Sequence, residues 1–120
     1  MNPSGGIPSI TAADAAREAT SGPALIVDVR ERGEFDQERA DGVVLVPISE
    51  FVARHAELPK DRPLLMVCAA GSRSASSTAF LLQNGWTDVR NVTGGMMAWR
   101  QAGLPIRSGP AEAGEGDVPA

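Results

Sequence analysis

Cys68 is the single cysteine of a 120-residue chain, and Ala69-Ala70-Gly71-Ser72-Arg73-Ser74 follows it directly. A thiol becomes a useful nucleophile only as the thiolate, which is favoured by a helix N-terminus, a nearby cation or convergent N–H donors. This stretch offers all three. Small side chains let the backbone curl so that successive amides face one concavity, Gly71 accepts a positive φ or the close approach of a ligand, and Arg73 brings charge. The chemistry expected is nucleophilic group transfer through Cys68. Ser72 and Ser74 could add side-chain hydrogen bonds or simply open a helix. In a first helical turn Arg73 opposes the helix dipole at a cost on the order of tenths of a kcal/mol, a placement that an anion-binding role explains.

The lone histidine, His55, falls in a helix ahead of Leu58-Pro59. Nothing in the spacing brings it to the loop, and a surface position is expected. Activation of Cys68 therefore rests on amides and Arg73 rather than on a general base. Asp28 and Arg30 could border the same site, although an Arg30–Glu34 ion pair accounts for them more simply. Met96 and Met97 follow two glycines and could line the mouth. Like Phe35, Phe51, Phe80, Trp86 and Trp99, they also suit a core.

These residues need a framework, and the sequence supplies one. Leu64-Leu65-Met66-Val67 reads as a buried strand ending at Cys68, and from Ser72 the apolar spacing turns helical as far as Asn84-Gly85, a C-cap signal. The same alternation recurs along the chain. Ile7 and Ile10 offer a short strand or an apolar tether, and Thr11 caps a helix, with Asp14 reaching back, that stops near Ser21-Gly22-Pro23. Ala24 to Arg30 is a continuous apolar run ending in charge, as in a central parallel strand covered on both faces. Residues 31–38 make a short helix around Phe35, and Val43 to Ile48 a strand in which Pro47 signals an edge position or the strand end. Ser49 caps a helix through Phe51, Val52 and Leu58. Asp88 to Val92 forms the last strand and Met96 to Ala102 the last helix, closed by Gly103-Leu104-Pro105. Strands and helices alternating at such short spacing predict an α/β domain with a mainly parallel sheet. Its ligand site lies at the carboxyl ends of the strands, where Cys68 falls.

The length suits one domain with its own core. A single cysteine allows no internal disulfide, and one histidine with one cysteine makes no zinc set, so neither metal nor cofactor is expected. Without a basic, apolar leader or a run of transmembrane length, the expectation is a cytoplasmic protein with no membrane contact. The formal charge of -4, with its charges scattered, argues against a nucleic-acid partner. Much of the excess lies in Glu112, Glu115 and Asp117. The Gly, Pro, Ala and acid-rich stretch from Ser108 to Ala120 is expected to be disordered, and its deletion to change nothing.

Four stretches in the same order and register resemble single-domain rhodaneses, the thiosulfate and persulfide sulfurtransferases. They are Asp28-Val29-Arg30 with Glu34-Phe35, Val46-Pro47-Ile48, the Cys68 to Ser74 loop, and Gly94-Gly95 with Trp99 and Gly103-Leu104-Pro105. The resemblance implies a small, mainly parallel five-stranded sheet flanked by helices on both faces. This rhodanese-like domain would span residues 7–107, between a flexible segment 1–6 and a disordered acidic tail 108–120. It further implies that Cys68 accepts a sulfane sulfur as a persulfide and passes it to a thiol or cyanide. The amides of Ala69, Ala70, Gly71, Ser72, Arg73 and Ser74 would cradle that persulfide, and Arg73 would bind an anionic small-molecule donor. A protein of a sulfur relay would be a further partner.

Two departures stand out. Many rhodaneses place an arginine directly after the cysteine, where this chain has Ala69, which removes a cationic contact to thiosulfate. A His and a Gly-Ala step usual in the family give way to Glu38-Arg39-Ala40-Asp41-Gly42-Val43. Two rival readings remain beside the sulfurtransferase. Cysteine-based phosphatases, as the resemblance implies, have five residues between cysteine and arginine, against Ala69 to Ser72 here, and the smaller loop suits a sulfur atom better than a phosphoryl group. A non-catalytic binding or regulatory module would share the fold without the chemistry.

Overall fold

A computed structural model describes residues 7–119, so the segment expected to be flexible, 1–6, lies outside the described residues. In chain order the elements are β1 (Ser9–Ile10), α1 (Ala12–Ser21), β2 (Leu25–Asp28), α2 (Arg32–Gln37), β3 (Glu38–Ala40), β4 (Val44–Leu45), α3 (Phe51–Arg54), β5 (Leu64–Val67), α4 (Ser72–Gln83), β6 (Val89–Val92), α5 (Gly95–Gln101) and β7 (Ile106–Ser108). Five strands form one sheet in the order β1-β6-β5-β2-β4, with every neighbouring pair parallel. This is the expected α/β architecture, and β4 takes the edge position, one of the two that Pro47 signals.

Both central strands, β2 and β5, are buried along their whole length. Alternation along each strand divides their side chains between two cores. Leu25, Val27 and Val29 join Leu64, Met66 and Cys68 against Phe51 of α3 and Leu81 of α4. Ile26, Leu65 and Val67 face the other way, against Ala15 of α1 and Met96 and Trp99 of α5. Continuous apolar runs are what a sheet covered on both sides requires.

Several local expectations give way to better partners. Ser49 does not cap a long helix. It sits in a 3-10 turn, Ile48–Glu50, and α3 is cut to Phe51–Arg54 by a second such turn at His55–Glu57. The Ser49 hydroxyl instead donates to Glu31 Oε1 at 2.7 Å. Thr11 caps α1 by accepting from the Asp14 amide at 3.1 Å, while the Asp14 carboxylate pairs with Arg17. The reciprocal capping box belongs to α2, where the Glu34 side chain accepts from the Glu31 amide at 3.0 Å. His55 is not a plain surface residue, because its ring packs edge-on against Phe80 and beside Phe51 and Trp86.

Residues 108–119, expected to be disordered, are placed against the domain. After α5 the chain enters β7, which pairs antiparallel with β3. The segment then crosses the sheet edge, where the Gly116 carbonyl accepts from the Leu45 amide at 2.8 Å. That contact covers part of an edge otherwise open to pairing with another chain. The Ala111 amide donates to Asp36 of α2, and Gly116 lies against Phe35 and Leu45, where a side chain would be crowded. Its main anchor is Arg39, which is 2 % exposed. The Arg39 guanidinium donates to Glu115 at 2.5 and 2.9 Å and to the carbonyls of Phe35 and Gly109 at 3.1 and 2.7 Å. A few specific polar contacts therefore order a stretch that offers little apolar surface.

Candidate active site

Cys68 leaves β5 at its carboxyl end and is 1 % exposed. The start of α5 holds the backbone there. The amides of Met96 and Met97 donate to the carbonyls of Cys68 and Ala69 at 2.8 and 3.1 Å. Gly95 permits this approach, since a Cβ at that position would collide with both carbonyl oxygens. With those carbonyls turned toward α5, the loop is free to direct amides at the sulfur. Gly71, at φ +116°, takes the left-handed conformation at the N-cap of α4, and its amide donates to Cys68 Sγ at 3.1 Å.

Ser74, fully buried in the first turn of α4, brings its hydroxyl to within 3.2 Å of the same sulfur. Burial pushes the Cys68 thiol up. Hydrogen bonds from the Ser74 hydroxyl and from the amides of Ser74, Gly71 and Ala70 outweigh it, so the pKa lies below that of an ordinary thiol. Stabilisation of the charged form by donors is the physical cause.

Asn91 of β6 completes this network. Its Nδ2 donates to the Gly71 carbonyl at 3.2 Å, which turns Oδ1 toward Ser74, 2.6 Å from the hydroxyl oxygen. The Ser74 hydroxyl has one proton and three competing acceptors, Asn91 Oδ1, Cys68 Sγ and the Gly71 carbonyl, the last at 3.3 Å. A neutral thiol is the weaker acceptor, and ionising the sulfur reverses the preference.

Arg73 points at a protein carboxylate. Its Nη1 and Nη2 donate to Glu34 Oε1 and Oε2 at 2.8 and 2.9 Å, and the two side chains are 33 and 37 % exposed. Arg73 holds the Glu34 carboxyl down to about 2, against the opposing effect of burial. Glu34 in turn raises the pKa of Arg73, as do the nearby Cys68 and Asp28. The expected Arg30–Glu34 side-chain pair is not formed. Arg30 closes instead on Asp28, at 3.1 Å from Nε and 2.8 Å from Nη2, and donates to the backbone carbonyls of Glu34 and Glu38.

Of the six loop positions expected to cradle the sulfur, Ala70, Gly71 and Ser74 bear on it directly. Ala69 is half-buried, Ser72 is exposed, and Arg73 stands at the rim. Of the two candidate mouth methionines, Met96 is buried in the core and Met97 is exposed. His55 is held in its aromatic cluster. Sequence reasoning missed Asn91 and the Glu34 clamp. Glu34 carried part of the resemblance, but nothing in its spacing announced a partner on α4.

Residues 11–102 match the family model described as Rhodanese-like domain. The chain belongs to that family. It is similar to a sulfurtransferase of Allochromatium vinosum, 37 % identical over 90 residues that cover 75 % of this chain and 84 % of that protein. A solved rhodanese-related protein of Thermoplasma volcanium superposes with a TM-score of 0.77 at 32 % identity, covering 83 % of this chain and 97 % of that one. An HTH-type transcriptional regulator of Mycobacterium tuberculosis is 34 % identical over 91 % of this chain, which spans only 48 % of that protein. Among the described residues no helix is long and apolar enough to cross a membrane.

Proposed function

We propose that this chain is a sulfurtransferase that carries its sulfur as a Cys68 persulfide. The observation that supports this most is the pair of donors aimed at the buried sulfur, the Gly71 amide at 3.1 Å and the Ser74 hydroxyl at 3.2 Å. Both stabilise a thiolate where no histidine is at hand. The sulfurtransferase among its relatives agrees with this reading.

The Cys68 thiolate attacks the sulfane sulfur of a donor, and the bond from that sulfur to its leaving group breaks. The electron pair departs as sulfite from thiosulfate or as a thiolate from a hydropersulfide. The new terminal sulfur extends into the loop, where the Ala70, Gly71 and Ser74 donors offset its charge. An acceptor thiol or cyanide then attacks the outer sulfur, and the S–S electron pair returns to Cys68. A thiol on a relay protein would serve as acceptor in the same way. Two successive displacements through a covalent intermediate predict ping-pong kinetics.

Mass spectrometry after incubation with thiosulfate or glutathione hydropersulfide should find one added sulfur on Cys68 and none in Cys68→Ser. Cyanide should then release thiocyanate and restore the original mass. A non-catalytic module is the second reading, favoured by the relative in which this domain makes up about half of a transcriptional regulator. A wild-type chain that gains no sulfur from either donor would establish that alternative.

A further inference from the structure

Two arginines at the carboxyl end of the central strands, Arg30 and Arg73, already have a carboxylate. Arg30, after β2, is closed on Asp28, and Arg73, at the start of α4, is held by both oxygens of Glu34. Ala69 adds no charge beside the cysteine.

The Glu34 clamp is also built from behind. Glu34 Oε1 accepts from the Glu31 amide, Arg30 holds the Glu34 and Glu38 carbonyls, and Ser49 ties down Glu31. A carboxylate fixed by its own helix in this way does not swing aside at no cost when an anion arrives. The cation that should attract a sulfonate-like donor is therefore neutralised at the mouth, while a Cys68 thiolate adds a negative charge of its own. Like charges brought together in a restricted site disfavour association, and specificity is a difference between such terms.

We infer that Glu34 is a specificity-determining residue that turns the Cys68 site against dianionic sulfur donors and toward donors of lower charge, alkyl hydropersulfides reacting in their protonated form above all. This rests on the sulfurtransferase reading. In the favoured reaction Cys68–S⁻ attacks the outer sulfur of R–S–SH. The Cys68 S–S bond forms, the R–S bond to that sulfur breaks, and RS⁻ leaves with the electron pair, so charge and atoms balance. Thiosulfate would follow the same displacement with sulfite leaving, but it must approach as a dianion.

The test is a series of donors: thiosulfate, a dianion, benzenethiosulfonate, a monoanion, and the hydropersulfide of N-acetylcysteamine, all assayed in slightly acidic buffer where the neutral form of the last is populated. Wild-type kcat/KM should rise along the series. Glu34→Gln keeps an oxygen for the Glu31 amide while releasing Arg73, and should shift the thiosulfate-to-hydropersulfide ratio toward thiosulfate by about tenfold, the scale of one unscreened charge at a mouth. Glu34→Asp, which keeps the charge, should keep the wild-type order. Thiosulfate turnover that falls in Glu34→Gln more than hydropersulfide turnover would overturn the inference, because Glu34 would then be holding Arg73 ready for the anion. The unaltered protein gives a second measurement. Its kcat/KM for thiosulfate should not decline as ionic strength rises from low to physiological, whereas a steep decline would reveal the free positive charge that the inference denies. Failure of every donor to load Cys68 would instead overturn the underlying sulfurtransferase reading.

Discussion

Two arginine–glutamate pairs, each with both carboxylate oxygens engaged, sit on either side of α2. Arg39 and Glu115 join the body of the domain to its C-terminal segment, with side-chain exposures of 2 and 15 %. Arg73 and Glu34 join α4 to α2 beside the cysteine, at 33 and 37 %. The chemistry of the two pairs is the same and their surroundings are not. Breaking a buried pair leaves an uncompensated charge in low dielectric, whereas a pair open to water is screened and contributes little. The first pair therefore has a structural role. The second is weak enough thermodynamically to be adjusted for function, yet close enough to Cys68 to set the charge an incoming donor meets.

The largest effect expected from this contrast follows truncation after Arg107. Arg39 would lose Glu115 and the Gly109 carbonyl while remaining tied to Phe35, and the midpoint of urea unfolding should fall clearly. The gap should depend on pH in a defined direction. Arg39, together with the Glu112 amide, holds the Glu115 carboxyl down to about 2, from an ordinary 4.5. Its stabilising effect is thus complete above pH 4.5 and lost as the pH falls through about 2. The difference between full-length and truncated protein should narrow across that window. Equal stability at neutral pH would return the tail to the disordered segment that its composition suggests.

That composition is silent on the contacts of the segment for a physical reason. Low apolar content says that residues 108–119 cannot bury much, which is true. It does not say whether one acidic residue meets a buried arginine 76 positions away. Elements whose order is set by local periodicity were legible: β2, β5 and α4 follow directly from their apolar runs, and Gly71 and Ser74 from the small-residue loop. Partners chosen in three dimensions were not. Arg30 takes Asp28 instead of Glu34, leaving Glu34 for Arg73, 39 positions on. Arg39, which stands within the segment that departs from the family pattern, could have been flagged as an unusual buried charge only once β3 was known to be covered. Asn91 carried no signal at all, because an asparagine in a four-residue strand gains its meaning from Gly71 and Ser74 across the sheet.

The Asn91–Ser74–Cys68 network extends the comparison to a third polar contact, which is buried yet able to rearrange because only a proton moves. Ser74→Ala removes a donor to the thiolate and should raise the Cys68 pKa, as judged from a pH titration of thiolate absorbance. Asn91→Ala should lower it, since one acceptor fewer then competes with the sulfur for the Ser74 proton. In the Ser74→Ala background the Asn91 substitution should have no further effect. An equal shift with and without Ser74 would mean that Asn91 acts through the backbone of Gly71 rather than through the hydroxyl.

The smallest expected change tests the exposed pair itself. Glu34→Gln removes the Arg73 contact but preserves the acceptor for the Glu31 amide, and with both partners at least one-third exposed the cost in unfolding free energy should stay below about 1 kcal/mol after solvent screening. The Glu34 carboxyl is held down to about 2, so whatever the pair contributes is present above pH 4.5 and disappears as the pH falls through about 2. Wild type and variant should therefore converge in acid from an already small difference. A variant that changes donor preference by an order of magnitude while barely moving stability would separate the two pairs by role as well as by burial. If Glu34→Gln instead unfolds as readily as the truncated chain, the mouth pair is structural like the buried one, and the distinction drawn from exposure fails.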